Sequence, residues 1–302
     1  MPTIAILGPG GVGGFLAAAL ARAGTDVVVV AREQTAALIA ERGIELRSVR
    51  LGDFTAHPRA AATLDEPVDT LFVATKAAGL EPALERIRAT PAVIVPLLNG
   101  IDHMTKLKAR FGGSSVAAGT IRIEADRPAP AQITQTSPFL RIEMASDDPA
   151  LAGRLEAVKI TLARAEVPAT IGTSEAQVLW SKLVRLNALA CTTSASDRPI
   201  GFIRSDPEWR AALEACITET AAVANADGAQ IDPAALLAEL DDAHAELGSS
   251  MQRDIAAGRE PELDAIPGAV LRAARRHGLE CPTIARLSAQ IARRAGVPPQ
   301  RP

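Results

Sequence analysis

The chain has 302 residues, of which 48% are apolar and 22% charged, and a formal net charge of −3. That length supports two domains and a sizeable core. The faint acidic balance, without a basic run, argues against nucleic acid and against an anionic membrane surface as partners.

Absences narrow the chemistry. Tyrosine is missing, which excludes a phenolic proton donor, and the four histidines (His57, His103, His244, His277) are scattered. No clustered Cys and His ligands suggest a zinc site. Cys191, Cys216 and Cys281 lie far apart in sequence with no CxxC pair, a pattern that suits reduced thiols and a cytoplasmic location. No stretch approaches the length of a membrane span, and the first apolar run is too short for a signal peptide. Asp102-His103 reads most simply as a pair of surface residues at a helix start. Lysine and carboxylates are left as the acid–base groups.

In chain order, Thr3–Leu7 (TIAIL) predicts a strand buried on both faces. Gly8-Pro9-Gly10-Gly11-Val12-Gly13 follows and fits G-x-G-x-x-G. The first glycine allows a tight turn, the second lets backbone approach a pyrophosphate, and the third lets helix pack on strand. A helix is expected from Phe15 to Ala23 with Gly24 as its cap, then a strand over Val27–Val30. Strand, glycine loop, helix and strand in this order predict a dinucleotide site. After the second strand comes Arg32, then Glu33. A guanidinium there can bind a 2′-phosphate bidentately and favours NADP(H). The alternative is a solvated Arg32 with Glu33 on the ribose hydroxyls.

Further expected elements are a helix over Thr35–Arg42, a strand-like region Ile44–Leu51, a strand Thr70–Thr75 followed by Lys76, a helix Leu80–Arg88, and a strand Ala92–Leu97 followed by Asn99-Gly100. Ligands in doubly wound sheets sit beyond the C-terminal strand ends, which assigns Gly8, Arg32, Lys76 and Asn99 to the cofactor side. Val116–Met144 reads as antiparallel strands, Leu151–Ala165 as a helix, and Val167–Thr173 as the crossing point. The expected fold is α/β: an N-terminal Rossmann-type parallel sheet domain binding NADP over 1–168, then an all-helical substrate and dimerisation domain over 169–302.

In the second half Ser174-x-x-Gln177 forms a capping box for the helix carrying Lys182, and Asp206-Pro207 and Asp232-Pro233 open two more, the latter running to near Gly248. Two final helices are expected over Glu262–His277 and Thr283–Ala295. Lys182 lies in an apolar stripe with Val178, Leu179, Leu183 and Leu186, so it either snorkels outward or serves chemistry. Ser249–Asp264 reads as a polar helix and turn.

The GPGGVG loop, ATK ending at Lys76, PLLNG with Asn99, LWSKL with Lys182 and SSMQRDIAAGREPELD with Ser250 and Glu262 together resemble the ketopantoate reductase family along essentially the whole chain. The resemblance implies NADPH-dependent reduction of a small-molecule 2-oxo acid, ketopantoate in pantothenate biosynthesis. By position it implies Lys182 as proton donor and Glu262 as the residue that holds the nicotinamide ribose and orients the lysine. Ser250 would bind substrate, Lys76 and Asn99 would contact cofactor ribose and substrate, and Ala125 would offer backbone near the nicotinamide. A homodimer is an open expectation, since helical second domains of this kind often pair.

The sequence departs from that family where substrate is read. Asparagines four, eight and eighteen residues after the lysine are replaced by Leu186, Ala190 and Ile200, with Asn187, Thr192, Thr193 and Ser194 nearby but out of register. Pro267 stands where an asparagine is common. Two readings stay open: a ketopantoate reductase with a rebuilt pocket, or a paralogue for a less polar 2-oxo acid. A non-catalytic NADPH sensor, and a lysine-using reductase of the hydroxyisobutyrate type, are further alternatives.

Overall fold

The computed structural model describes residues 2–298; Met1 and residues 299–302, the outer ends of the two expected domains, lie outside the described residues. The chain divides into two compact units. One runs to Leu98 and resumes over His103–Val178; the other takes Asn99–Asp102 and continues from Leu179.

The first unit is built on a parallel sheet. Its elements are β1 (Thr3–Leu7), α1 (Gly11–Arg22), β2 (Asp26–Val30), α2 (Glu33–Arg42), β3 (Ile44–Ser48), β4 (Phe54–Ala56), β5 (Arg59–Ala61), β6 (Thr70–Val73), α3 (Leu80–Leu84), β7 (Val93–Pro96), α4 (His103–Phe111), β8 (Ala118–Arg122), β9 (Ala125–Ala129), β10 (Gln132–Gln135), β11 (Arg141–Ala145), α5 (Ala152–Arg164) and β12 (Ala169–Ile171). Five strands run in the order β5-β2-β1-β6-β7, all parallel. The near-continuous apolar runs are explained by burial on both faces: Ile4–Leu7, Val27–Val30 and Leu71–Val73 are all buried. Each such valine or isoleucine contributes about 1.5–3 kcal/mol.

Several expectations shift. The Ile44–Leu51 strand forms as β3, but in a separate sheet ordered β4-β3-β10-β9, where it pairs parallel with β10. The extended region contains the expected antiparallel pairs, β9 with β10 and β8 with β11. The crossing segment carries β12, which pairs parallel with β11. That pairing keeps residues 169–171 in the first unit, so the observed division falls after Val178 instead of after 168. The helix expected over Leu80–Arg88 closes at Leu84, because Leu64 takes hydrogen bonds with Arg86 and Arg88 that further helix would need.

The second unit is helical: α6 (Glu175–Ser196), which begins in the first unit, then α7 (Ile200–Ser205), α8 (Pro207–Ala226), α9 (Pro233–Asp241), α10 (Ser250–Ala256), α11 (Ala269–Arg276) and α12 (Pro282–Ala295). Asp206 and Asp232 cap α8 and α9 with their side chains, each ahead of a proline at the first helical position. Ser174 Oγ accepts from Gln177 N, the expected start of α6. α9 stops at Asp241, well short of Gly248, and α7 adds a six-residue helix that no sequence motif marks.

The helix expected over Glu262–His277 is interrupted at its start. Asp264–Gly268 forms a π-turn, with Gly268 N bonded to Leu263 O. Pro267 lies inside it and has no N–H to continue an α ladder, which accounts for the wider turn.

Candidate active site

The glycine loop shows why each of its glycines is needed. Gly8 turns the chain at φ +91°, a left-handed value that disfavours any side chain. A Cβ at Gly11 would overlap the Ala125 carbonyl oxygen, and one at Gly13 would overlap Gly8 O. The loop is therefore clamped between α1, β1 and the start of β9, and Ala125 is brought against it. Gly10 differs: a Cβ there would meet nothing within 4 Å. Its missing side chain leaves open space in front of the N-terminus of α1, where unbonded N–H groups and the helix dipole attract an anion.

Thr75, not singled out from sequence, adds to this cradle. Its methyl group touches the Gly8 turn, and its hydroxyl is buried with no hydrogen-bond partner among the described residues. Only its place at the end of β6 could have flagged it. Lys76 follows as an exposed residue capping a short 3₁₀ turn over Ala77–Gly79. A glycine that opens space, an orphan hydroxyl and a helix N-terminus fit a dinucleotide pyrophosphate.

At the end of β2, Arg32 is the exposed N-cap of α2. Glu33 is not left to accept from ribose hydroxyls alone, because Arg86 Nη1 bonds its Oε1 at 3.0 Å. The same nitrogen donates to Ala62 O at 3.1 Å and Ala31 O at 3.4 Å, fastening Arg86 beneath the strand ends. The Glu33 carboxyl is held below the usual carboxylate range, first by a hydrogen bond from its own backbone and then by Arg86. Arg86 was missed in the sequence because nothing local distinguishes it from a solvated helix arginine.

The second unit gathers the residues expected to do chemistry. Lys182 Nζ donates to Asn99 Oδ1 at 2.9 Å, and Asn99 Nδ2 donates to Glu262 Oε2 at 2.9 Å. Asn99 thus stands between lysine and carboxylate, although 83 and 163 residues separate it from them. α6 holds the lysine in place through buried neighbours: Leu183 and Val184 are in the core, and Trp180 donates from Nε1 to Asp227 at 2.9 Å. Lys182 itself is half-buried, as is Glu262 immediately ahead of the π-turn. Ser250 is the half-buried first residue of α10. Ser249, before it, caps the helix by accepting from Gln252 N, and its Oγ lies 2.9 Å from Thr193 Oγ1.

The polar residues near the altered pocket positions are already engaged. Asn187 is fully buried, donates to Thr220 Oγ1 and accepts from Cys191 Sγ. Thr192 and Thr193 bond back to carbonyls one turn earlier in α6. These side chains, like that of Ser194, are fully buried. Lys182, Leu186 and Ala190 follow one another at helical spacing, leaving an apolar stripe beyond the lysine, of which Leu186 is half-buried; Ala190 and Ile200 are fully buried.

Asp102 is bonded by Arg272, and His103, expected at the surface, is 95% buried by its 5% exposure in α4. Among the described residues no group of His, Cys, Asp and Glu is placed to hold a metal ion, and no helix is long and apolar enough to cross a membrane.

Comparison with known proteins points to one family. The family model "Ketopantoate reductase PanE/ApbA" matches residues 4–146, and that of its C-terminal part matches 176–295. A 2-dehydropantoate 2-reductase of Caulobacter vibrioides is 28% identical over 300 residues, covering 96% of this chain and 98% of that protein. The crystal structure of 2-dehydropantoate 2-reductase from Geobacter metallireducens superposes with a TM-score of 0.88 at 25% identity, covering 96% of this chain and 99% of the other. A ternary structure of D-mandelate dehydrogenase with NADH and anilino(oxo)acetate shares the fold with a TM-score of 0.88 at 18% identity, over 97% of this chain and 98% of that one. With both halves of the family matched over most of its length, the chain belongs to the ketopantoate reductase family of NADP-dependent oxidoreductases.

Proposed function

We propose that this protein reduces the ketone of a 2-oxo acid with an apolar side chain to the 2-hydroxy acid, with NADPH as reductant. The observation that carries the reading is the hydrogen-bond chain Lys182–Asn99–Glu262, followed along α6 by Leu186 and Ala190 in place of amides. Gly8–Gly13, Thr75, Lys76 and Arg32 would hold the pyrophosphate, ribose and 2′-phosphate. The cofactor supplies the hydride when bound.

The protein's own work is proton supply and orientation. Lys182 Nζ donates a proton to the ketone oxygen as negative charge grows on it. Asn99 Oδ1 fixes the lysine's direction, and Glu262 fixes the Asn99 amide so that its oxygen, not its nitrogen, faces the lysine. Ser250 binds the substrate carboxylate. Reduction of ketopantoate itself is the second reading, favoured by relatives named 2-dehydropantoate 2-reductase. The fold tolerates an apolar substituent in D-mandelate dehydrogenase, whose bound anilino(oxo)acetate carries a ring. The expected sites are a cofactor domain and a helical domain for substrate and homodimer contact, in a cytoplasmic enzyme that keeps its three buried cysteines reduced.

The test is NADPH oxidation over 2-oxo acids graded in size and hydroxylation. Apolar acids should outrun ketopantoate, and the reverse order selects the second reading. Lys182→Ala should bind NADPH normally and lose about 10²–10⁴-fold in kcat. Wild type inert across the panel would leave an NADPH-binding sensor.

A further inference from the structure

We propose that Arg272 is a positioning residue for the reaction, bracing the Asn99 loop against the segment that carries Glu262. The inference rests on the role given above to Lys182 and concerns how its partner is held.

The guanidinium reaches both sides of the Asn99–Glu262 hydrogen bond. Nε and Nη2 donate to Asp102 Oδ2 at 3.1 and 2.6 Å. Nη1 donates to Asp264 Oδ1 at 2.7 Å, and Nη2 also donates to Asp264 O at 2.8 Å. Asp102 lies three residues after Asn99, and Asp264 two after Glu262. One rigid planar fork therefore ties together the two short segments whose side chains meet at 2.9 Å.

A second contact acts in the same place. Gly100 adopts φ +82°, and a Cβ there would overlap Ala265 O in the π-turn. The loop backbone thus rests directly on the segment after Glu262. These ties also account for Asn99–Asp102 grouping with the helical unit although β7 delivers them from the sheet.

The Asp102 pair is partly shielded, with side-chain exposures of 33% for Arg272 and 36% for Asp102, while Asp264 is 72% exposed. The first tie is therefore the stronger one, since an exposed ion pair contributes little. Asn99 has to present its oxygen to Lys182 and its nitrogen to Glu262 simultaneously. A loop displaced by about 1 Å loses one or both bonds, and misplacement of that size can cost about 100-fold in rate.

The experiment is a double-mutant cycle on the full-length enzyme, assayed with NADPH and the best 2-oxo acid of the panel. Arg272→Gln should lower kcat about 10- to 100-fold while the Kd for NADPH, read by fluorescence titration, stays within about threefold. Arg272→Lys should recover part of the loss, since one ammonium can reach Asp102 but cannot span both aspartates. In the Asn99→Ala background Arg272→Gln should cost almost nothing further, because the group it positions is gone. Equal losses in both backgrounds, or an unchanged kcat, overturn the proposal. Should Arg272→Gln not fold, Asp102→Asn removes the same tie and takes its place in the cycle. Lys182→Ala assayed alongside keeps the two readings separate: full turnover without the lysine removes the proton-donor role, whereas additive Arg272 and Asn99 losses remove the brace alone.

Discussion

Asn187 gives its side-chain amide to Thr220 Oγ1 at 2.9 Å, so the one asparagine near the altered stripe of α6 points into the helical core. Its neighbour Leu186 takes the position one turn beyond Lys182. If Leu186 sets substrate preference, Leu186→Asn should raise kcat/KM for hydroxylated 2-oxo acids relative to apolar ones by about tenfold or more. Steady-state kinetics on matched pairs of acids measures this, and an unmoved ratio would show that the stripe does not read the side chain.

The two central glycines of the loop should separate binding from folding. Gly10→Ala adds a methyl group to open space within the protein, so its Tm should match wild type while NADPH affinity falls. Gly11→Ala forces Cβ into the Ala125 carbonyl, and overpacking of this kind costs about 1–3 kcal/mol. Calorimetry with NADPH titration distinguishes them. A Gly10→Ala variant that binds as tightly as wild type would displace the pyrophosphate from this cradle.

Arg86 should influence the choice between NADPH and NADH. Removing it with Arg86→Ala leaves Glu33 unopposed beside Arg32, so the ratio of NADH to NADPH dissociation constants should fall. The pH dependence follows from the lowered Glu33 carboxyl. A depressed carboxyl keeps its ionic contacts above the ordinary carboxylate range and loses them only as pH drops through the lowered value. The Glu33 carboxylate itself should therefore stay ionised, and its contact with Arg86 intact, from pH 8 to about 5 in the cofactor-free protein, as followed by the NMR shift of its carboxyl carbon. A carboxyl that titrates at pH 6 would contradict this, and an Arg86→Ala variant with wild-type cofactor preference would remove Arg86 from the choice.

The buried thiols make the fold sensitive to alkali. Burial, with Glu219 nearby, pushes Cys191 up to about 12 and Cys281 up to about 11. The unfolded chain releases these protons near its ordinary value, so between about pH 9 and 11 the native state holds more protons and stability falls as pH rises. Urea midpoints should drop from pH 8 to pH 10, and the drop should be smaller in Cys191→Ala than in wild type. A thiol reagent at pH 8 should label the native protein slowly; rapid labelling of all three would refute their burial.

What could be read from sequence was what the chain encodes locally. The glycine loop, the helix caps at Asp206 and Asp232, and the polar residues at strand ends each depend on neighbours within a few positions. β3 was legible as a strand but its sheet was not, because its partner β10 lies far along the chain and pairs through backbone, leaving no side-chain signature. The Lys182–Asn99 contact was invisible for a similar reason: the residues were identified, but not that one amide stands between lysine and carboxylate. Pro267 was noticed only as a lost asparagine, although its missing N–H also widens the turn after Glu262. Arg86 and Arg272 gave no signal, since an arginine on a short helix reads as solvated until its acceptors are known.

The grouping of Asn99–Asp102 with the helical unit bears on how this family can recombine. By sequence position alone, exchanging the helical half for that of a relative keeps the sheet half intact. Yet the tetrapeptide between β7 and α4 would then face a foreign π-turn and a foreign arginine position. A viable hybrid has to carry residues 99–102 together with the helices, as two separate inserts, so the genetic seam and the structural seam in this chain do not coincide.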